Sequence, residues 1–257
     1  MAKFSDLLPR VVVAAILIAL VGGALYLGGL AFRVVVYVAA VIVFYELYRL
    51  VAFKFSVVSF AAGLITLSLA FWTENITLTV VLLAIFGLAN YLMGFSIKEA
   101  FVLISVVVFV AFPAYVAIKL RDESIALLIY VMVCNWSADT FAYFSGKLFG
   151  RRRMFPQVSR GKTLEGYVGA IIGSALAGAI TGYLVGYSIP VAALGGAYIG
   201  LFAQIGDLVE SALKREKGVK DSGNLLPGHG GLLDRVDSAL LSFPAFWVIK
   251  DVFLKFA

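Results

Sequence analysis

The sequence predicts an all-α fold, a polytopic integral membrane protein with about nine transmembrane helices, on three observations. Its 257 residues are 62% apolar and only 14% charged, with a mean hydropathy of +1.01, outside the range of soluble globular domains. Uncharged runs of about 20 residues, the length that crosses a bilayer, recur from end to end, so a single anchor on a soluble domain is excluded. The charges that do occur gather in short segments between those runs.

The first span is read as Val11–Phe32. Its apolar run exceeds a signal-peptide core and no convincing small-residue cleavage site follows, so it is expected to be retained. Val34–Phe53, Phe55–Trp72, Ile76–Phe95, Ala100–Ile118 and Ser124–Phe144 are the next five, each an apolar run between polar punctuation. Gly166–Gly206 is too long for one crossing and breaks at Ser188-Ile189-Pro190, where proline suits the first turn of a new helix, giving spans seven and eight. Asp234–Phe256 is the ninth, with its charged beginning at an interface. Residues 1–120 thus form an amino-terminal packing or interface region of five spans. Residues 121–257 form a second region of four spans that carries the two long polar loops, at 146–165 and 215–233, and with them whatever chemistry the chain performs. The lone Cys134 lies in an apolar run and is expected to pack rather than carry redox chemistry.

With the amino terminus cytoplasmic, nine spans leave all of the 21 Lys and Arg inside except Arg33, Lys119, Arg121, Lys250 and Lys255. That is the bias expected of short cytoplasmic loops. Both long polar loops then face one compartment and can share a site. The net charge of +6, concentrated there, suits anionic lipid headgroups or polyphosphates; no nucleic-acid partner is expected.

The first half offers little chemistry: Glu46 and Arg49, three apart on one helix, read as an interfacial ion pair. In span six, Asn135, Asp139 and Tyr143 recur at i, i+4, i+8 as a polar stripe. A carboxylate at that depth costs about 3 kcal/mol unless paired or hydrated, so Asp139 is expected to face a cavity. The following loop carries Arg151 to Arg153, which read as topology and headgroup determinants, and then Ser159, Arg160, Lys162 and Thr163. Gly161-Lys162-Thr163 invites a phosphate-loop reading, but Pro156 stands where that motif needs glycine and no parallel-sheet context precedes it. What remains is a cationic, hydroxyl-bearing loop ahead of a helix start, a setting that suits phosphate.

Span eight continues through Asp207, Ser211 and Lys214, which share one face as the helix leaves the membrane. From Ser211 to Asp237 the chain then packs five Lys or Arg, four acidic residues and its only histidine into an otherwise apolar sequence. Asp234 and Asp237 lie near one another on the first turn of the last helix, where the dipole favours negative charge; a helix cap is the alternative for Asp234. Asp139, Asp207, Asp234 and Asp237 beside these cations describe a site for magnesium and a polyphosphate, with hard oxygen ligands on the metal. Zinc is not expected, since one His and one distant Cys cannot build its usual ligand set. His229 either donates to a phosphate and moves a proton or serves as a structural donor. Gly230 and Gly231 are expected to let backbone approach a ligand or adopt positive φ.

Ser211-x-Leu213-Lys214-Arg215-x4-Lys220-Asp221, followed by Leu226-Pro227-x-His229-Gly230-Gly231-x-x-Asp234-Arg235-x-Asp237, resembles the signature of the phosphatidate cytidylyltransferases, or CDP-diacylglycerol synthases, with every fixed position present. The likeness extends upstream through Asp139-x-x-Ala142-Tyr143-x-x-Gly146-x-x-x-Gly150 and Ser159…Lys162-Thr163-x-Glu165-Gly166, over roughly the second half of the chain. In one departure Arg160-Gly161 stand where the family commonly has Pro-Lys, which makes Arg160 the substitute cation. The resemblance implies a multi-pass cell-membrane enzyme of phospholipid biosynthesis that converts CTP and phosphatidic acid to CDP-diacylglycerol and diphosphate on the cytoplasmic side. It implies Asp207, Asp234, Lys214 and His229 as catalytic residues. Asp207, Asp234 and Asp237, with Asp139 as a further candidate, would hold Mg2+ and a second cation. Ser211, Lys214, Arg215, Lys220, Asp221, Gly230, Gly231 and Arg235 would bind CTP. Tyr143, Ser159, Arg160, Lys162 and Thr163 would face the lipid phosphate.

Gly169, Gly173, Ala177 and Gly178 of span seven permit close helix approach or, alternatively, mark a homodimer contact. Two competing functions remain: a CTP-dependent transferase acting on a polyprenol or isoprenoid phosphate, and a cation-coupled transporter. The latter predicts inverted repeats, and the two halves differ plainly in polar content.

Overall fold

The computed structural model describes residues 4–52, 55–159, 161–225 and 230–257. Through these run α1 (Phe4–Leu27), α2 (Gly29–Val51), α3 (Val57–Thr73), α4 (Ile76–Leu92), α5 (Ile97–Glu123), α6 (Ile125–Phe149), α7 (Leu164–Leu184), α8 (Ile189–Glu216), α9 (Leu233–Val236) and α10 (Ala239–Phe256). Among the described residues, α2, α5, α6, α7 and α8 are long and apolar enough to cross a membrane, and Val11–Leu27, Val57–Thr73 and Thr77–Leu92 are shorter apolar stretches. Large apolar side chains such as Ile18, Leu30, Ile97 and Leu194 point outward. A soluble surface would not carry them, and helices satisfy their own backbone groups in lipid, so the protein is all-α and polytopic.

Two boundaries fall elsewhere than expected. The break expected at Arg33 lies at Gly28-Gly29, whose φ of 62° and 47° favours glycine. Arg33 continues inside α2 and pairs with Glu74. The last span, expected as one helix from Asp234, is divided into α9 and α10 by a turn at Asp237-Ser238.

The chain separates into two compact units, Met1–Ile118 with Lys217–Arg235, and Lys119–Glu216 with Val236–Ala257. In the first, local polar residues start the helices. Ser56 and Asn75 cap α3 and α4, and Ser96 and Glu99 form a reciprocal capping box at α5. Between α2 and α3, the rings of Phe44, Tyr48 and Phe60 pack with centroids within 6 Å of one another, and Gly63 gives Phe44 room. Glu46 does not pair with Arg49 as expected. Its carboxylate accepts from the Leu232 and Leu233 amides, while Arg49 donates to the Tyr45 hydroxyl and lies over its ring.

The second unit is built on small residues. A Cβ on Gly169 or Gly173 would strike Ser145 or Phe141 of α6, and one on Gly178 or Gly196 would strike the facing backbone between α7 and α8. Ala138, Ala170 and Ala203 fill the seam where the three helices meet. Such close approach lets Ser174 Oγ bond the carbonyls of Cys134 and Gly196, and Tyr130 donate to the Ala192 carbonyl. The glycines of span seven therefore serve helix packing within the chain.

Candidate active site

Asp207 and Glu210 lie three apart near the polar end of α8, and the Asp237-Ser238 turn brings a third carboxylate to them. One oxygen from each lies within 4.8 Å of the others. Gly206 permits this, because a Cβ there would come 2.6 Å from the Asp237 carbonyl oxygen and 3.2 Å from that of Ser238. Two ammonium groups answer the acids. Lys162 Nζ is 3.0 Å from Asp207 Oδ1, and Lys214 Nζ is 2.5 Å from Glu210 Oε2. The second pair is nearly withdrawn from solvent, with Glu210 1% and Lys214 8% exposed. Ser211 Oγ donates to Asp207 and accepts from Lys162.

The loop that delivers Lys162 is folded rather than slack. An antiparallel bridge joins Arg153 to Thr163, Met154 N donates to the Lys162 carbonyl, and Leu164 N donates to that of Arg152. Glu165 accepts the Arg151 and Arg152 amides at 3.0 and 3.2 Å, and Arg215 Nε donates to the Val158 carbonyl at 3.2 Å. Thr163 Oγ1 is occupied as the cap of α7, accepting from Gly166 N at 3.1 Å. Ser159 is half-buried, its amide bonded to the Phe155 carbonyl.

Deeper in α6, Asp139 accepts from Gln204 Nε2 at 3.3 Å and from Ser238 Oγ at 3.1 and 3.2 Å, and Ser238 N donates to Asp237 Oδ1. Ser238 thus links the Asp139 carboxylate to the triad. Asn135 accepts from Ser242. Tyr143 leaves the stripe: it is 62% exposed, edge-on to Phe144 and beneath the Lys147 ammonium.

Asp234 belongs to the first compact unit and Asp207 and Asp237 to the second. Its carboxylate accepts from Ser222 N at 3.2 and 3.0 Å, from Ser222 Oγ at 3.0 Å and from Gly231 N at 2.8 Å. Gly230 has φ of 83° and Gly231 is buried against Glu46 and Ser222, so both meet the expected need for glycine. Lys220, Asp221 and Arg235 are exposed. His229 and Arg160 lie outside the described residues.

Sequence reasoning missed Glu210. Its signal was its place three residues after Asp207, which puts both on one helical face. The three side chains form an all-oxygen donor set. Three anions against the two lysines leave net negative charge, so the residues present fit a hard divalent cation better than a thiophilic one.

A family model described as the cytidylyltransferase family matches residues 8–253. A phosphatidate cytidylyltransferase of Bacillus subtilis is 32% identical over 244 residues, 88% of this chain and 91% of that protein. One of Staphylococcus aureus is 33% identical over 230 residues, 84% and 88% of the two chains. One of Pseudomonas aeruginosa reaches 52% identity over 139 residues, covering 53% of this chain and 51% of its own. With its match running nearly from end to end, the chain belongs to the cytidylyltransferase family.

Proposed function

We propose that this protein is a CTP:phosphatidate cytidylyltransferase. A phosphate oxygen of phosphatidate attacks the α-phosphorus of CTP, the bond to the β-phosphate breaks, and diphosphate departs, leaving CDP-diacylglycerol. The observation that carries this reading is the carboxylate triad Asp207, Glu210 and Asp237 flanked by Lys162 and Lys214, in a chain of this family. Two anions must meet, so the site has to suppress repulsion and stabilise the leaving diphosphate. When bound, Mg2+ would neutralise phosphate charge and lower the cost of expelling diphosphate.

Asp207, Glu210 and Asp237 would hold this cation, and Asp234 is a further cation-ligating candidate. Lys214, Arg215 and Lys220 hold CTP phosphates, with Ser211, Asp221, Gly230, Gly231, Arg235 and His229 completing the nucleotide set. Lys162 orients the lipid phosphate, with Ser159, Arg160, Thr163 and Tyr143 near it. The phosphatidate oxygen is already ionised at neutral pH, so no strong general base is required and alignment dominates. The reaction is assigned to residues 121–257 and to the cytoplasmic face of the cell membrane, where the headgroup reaches α8 while the acyl chains stay in the bilayer.

The test is conversion of radiolabelled CTP by the purified protein with phosphatidate or with a polyprenyl phosphate, with and without Mg2+. CDP-diacylglycerol and diphosphate formed only with phosphatidate and Mg2+ are expected. Activity restricted to the polyprenyl acceptor would overturn the assignment.

A further inference from the structure

Glu46 stands in the amino-terminal half, far in sequence from every residue assigned to the reaction, yet it is 4% exposed in an apolar helix. A carboxylate withdrawn from water needs hydrogen-bond donors, and the donors it has found are informative. Leu232 N and Leu233 N donate to it at 3.1 and 2.7 Å, and Ser222 Oγ reaches Oε2 at 3.2 Å. The same Ser222 hydroxyl lies 3.0 Å from Asp234 Oδ2, and Ser222 N and Gly231 N donate to the Asp234 carboxylate. Ser222 is thus the shared partner of two acids, one on α2 and one on α9. The backbone has been kept bare to allow it: a Cβ on Gly223 would lie 2.7 Å from Glu46 Oε1, and one on Gly231 would lie 2.6 Å from Oε2 and 2.1 Å from Ser222 Oγ.

We propose that Glu46 is a positioning residue for the cytidylyl transfer. It clamps the backbone at Leu232 and Leu233 and, through Ser222, fixes the direction of the Asp234 carboxylate. The amino-terminal helices then serve the reaction rather than only fill the membrane. This inference rests on the reading that Asp234 takes part in the chemistry. A carboxylate steered by one neighbour loses geometry when that neighbour goes, and such partners affect metal affinity or activity by about 10- to 100-fold.

Hydrogen–deuterium exchange on the full-length protein in detergent reads the clamp directly. Glu46→Ala should raise exchange at Gly231, Leu232 and Leu233 by at least about tenfold while α3 and α4 stay protected. The same variant should lower kcat by about 10- to 100-fold and raise the half-saturating Mg2+ concentration, with KM for CTP changed less. Glu46→Gln, which keeps one carbonyl acceptor, should recover part of both effects. Gly223→Ala presses on the clamp with the carboxylate intact and should reproduce them in weaker form, so the test survives if Glu46→Ala fails to fold. Unchanged exchange in all three variants, or loosened amides with full turnover, would overturn the proposal. If Asp234→Asn retains full activity while Glu46→Ala still loosens the loop, the failure lies in the role given to Asp234.

Discussion

At the scale of single residues, the triad and its lysines differ in how far they are withdrawn from water. Asp207 and Lys162 are partly open, with side chains 30% and 23% exposed, so their pair can part when substrate or cation enters. Asp207→Asn should lower the rate of diphosphate release by at least about 100-fold and leave the detergent elution profile unchanged; wild-type turnover would remove Asp207 from the cation site. Lys214 is different, because its partner Glu210 is sealed from solvent. Lys214→Ala should lower thermal stability by removing the ammonium 2.5 Å from that carboxylate, besides weakening CTP use. Adding Glu210→Gln should restore much of the thermal stability but not the turnover. A double variant as unstable as the single one would show that the ion pair is not the source of the loss.

At the scale of elements, the site depends on how closely α8 approaches the Asp237-Ser238 turn. Gly206→Ala should displace that turn, costing about 1–3 kcal/mol from overpacking and reducing turnover by about 100-fold, as misplacement near 1 Å does. Crystallographic or spectroscopic placement of Asp237 unchanged in an active Gly206→Ala protein would sink this account. Thr163 gives a second element-level test. As the cap of α7 it should tolerate Ser, while Thr163→Ala should lower stability by about 1 kcal/mol in thermal unfolding. The expectation of a polar stripe on α6 was legible for Asn135 and Asp139 and failed for Tyr143, because small drift per turn accumulates and the bundle covers only part of a long helix.

At the scale of the whole molecule, the charge pattern predicts where the polar loops face. Cys134, the chain's single cysteine, is buried, so reporter thiols can be added against a silent background. In right-side-out vesicles an impermeant maleimide should label Lys255→Cys and miss Lys220→Cys, with the pattern reversed in inverted vesicles. Labelling of both from one side would refute the nine-span topology, and labelling of Lys220→Cys in right-side-out vesicles would refute the cytoplasmic placement.

Composition and motif spacing alone determined that this is a helical membrane protein, and they gather in its carboxy-terminal half acids and bases of the kinds that suit phosphates and a hard cation. Those properties follow from residue type and local period, which a linear string records. Three matters were decided only in three dimensions: that Glu210 lies with Asp207 and Asp237, that Gly206 leaves room for the backbone at Asp237, and that Glu46 shares Ser222 with Asp234 and accepts from Leu233 N across 187 positions of chain. Each depends on which backbones approach closely enough to share hydrogen bonds. That approach is set by packing among small residues distant in sequence, where periodicity carries no signal.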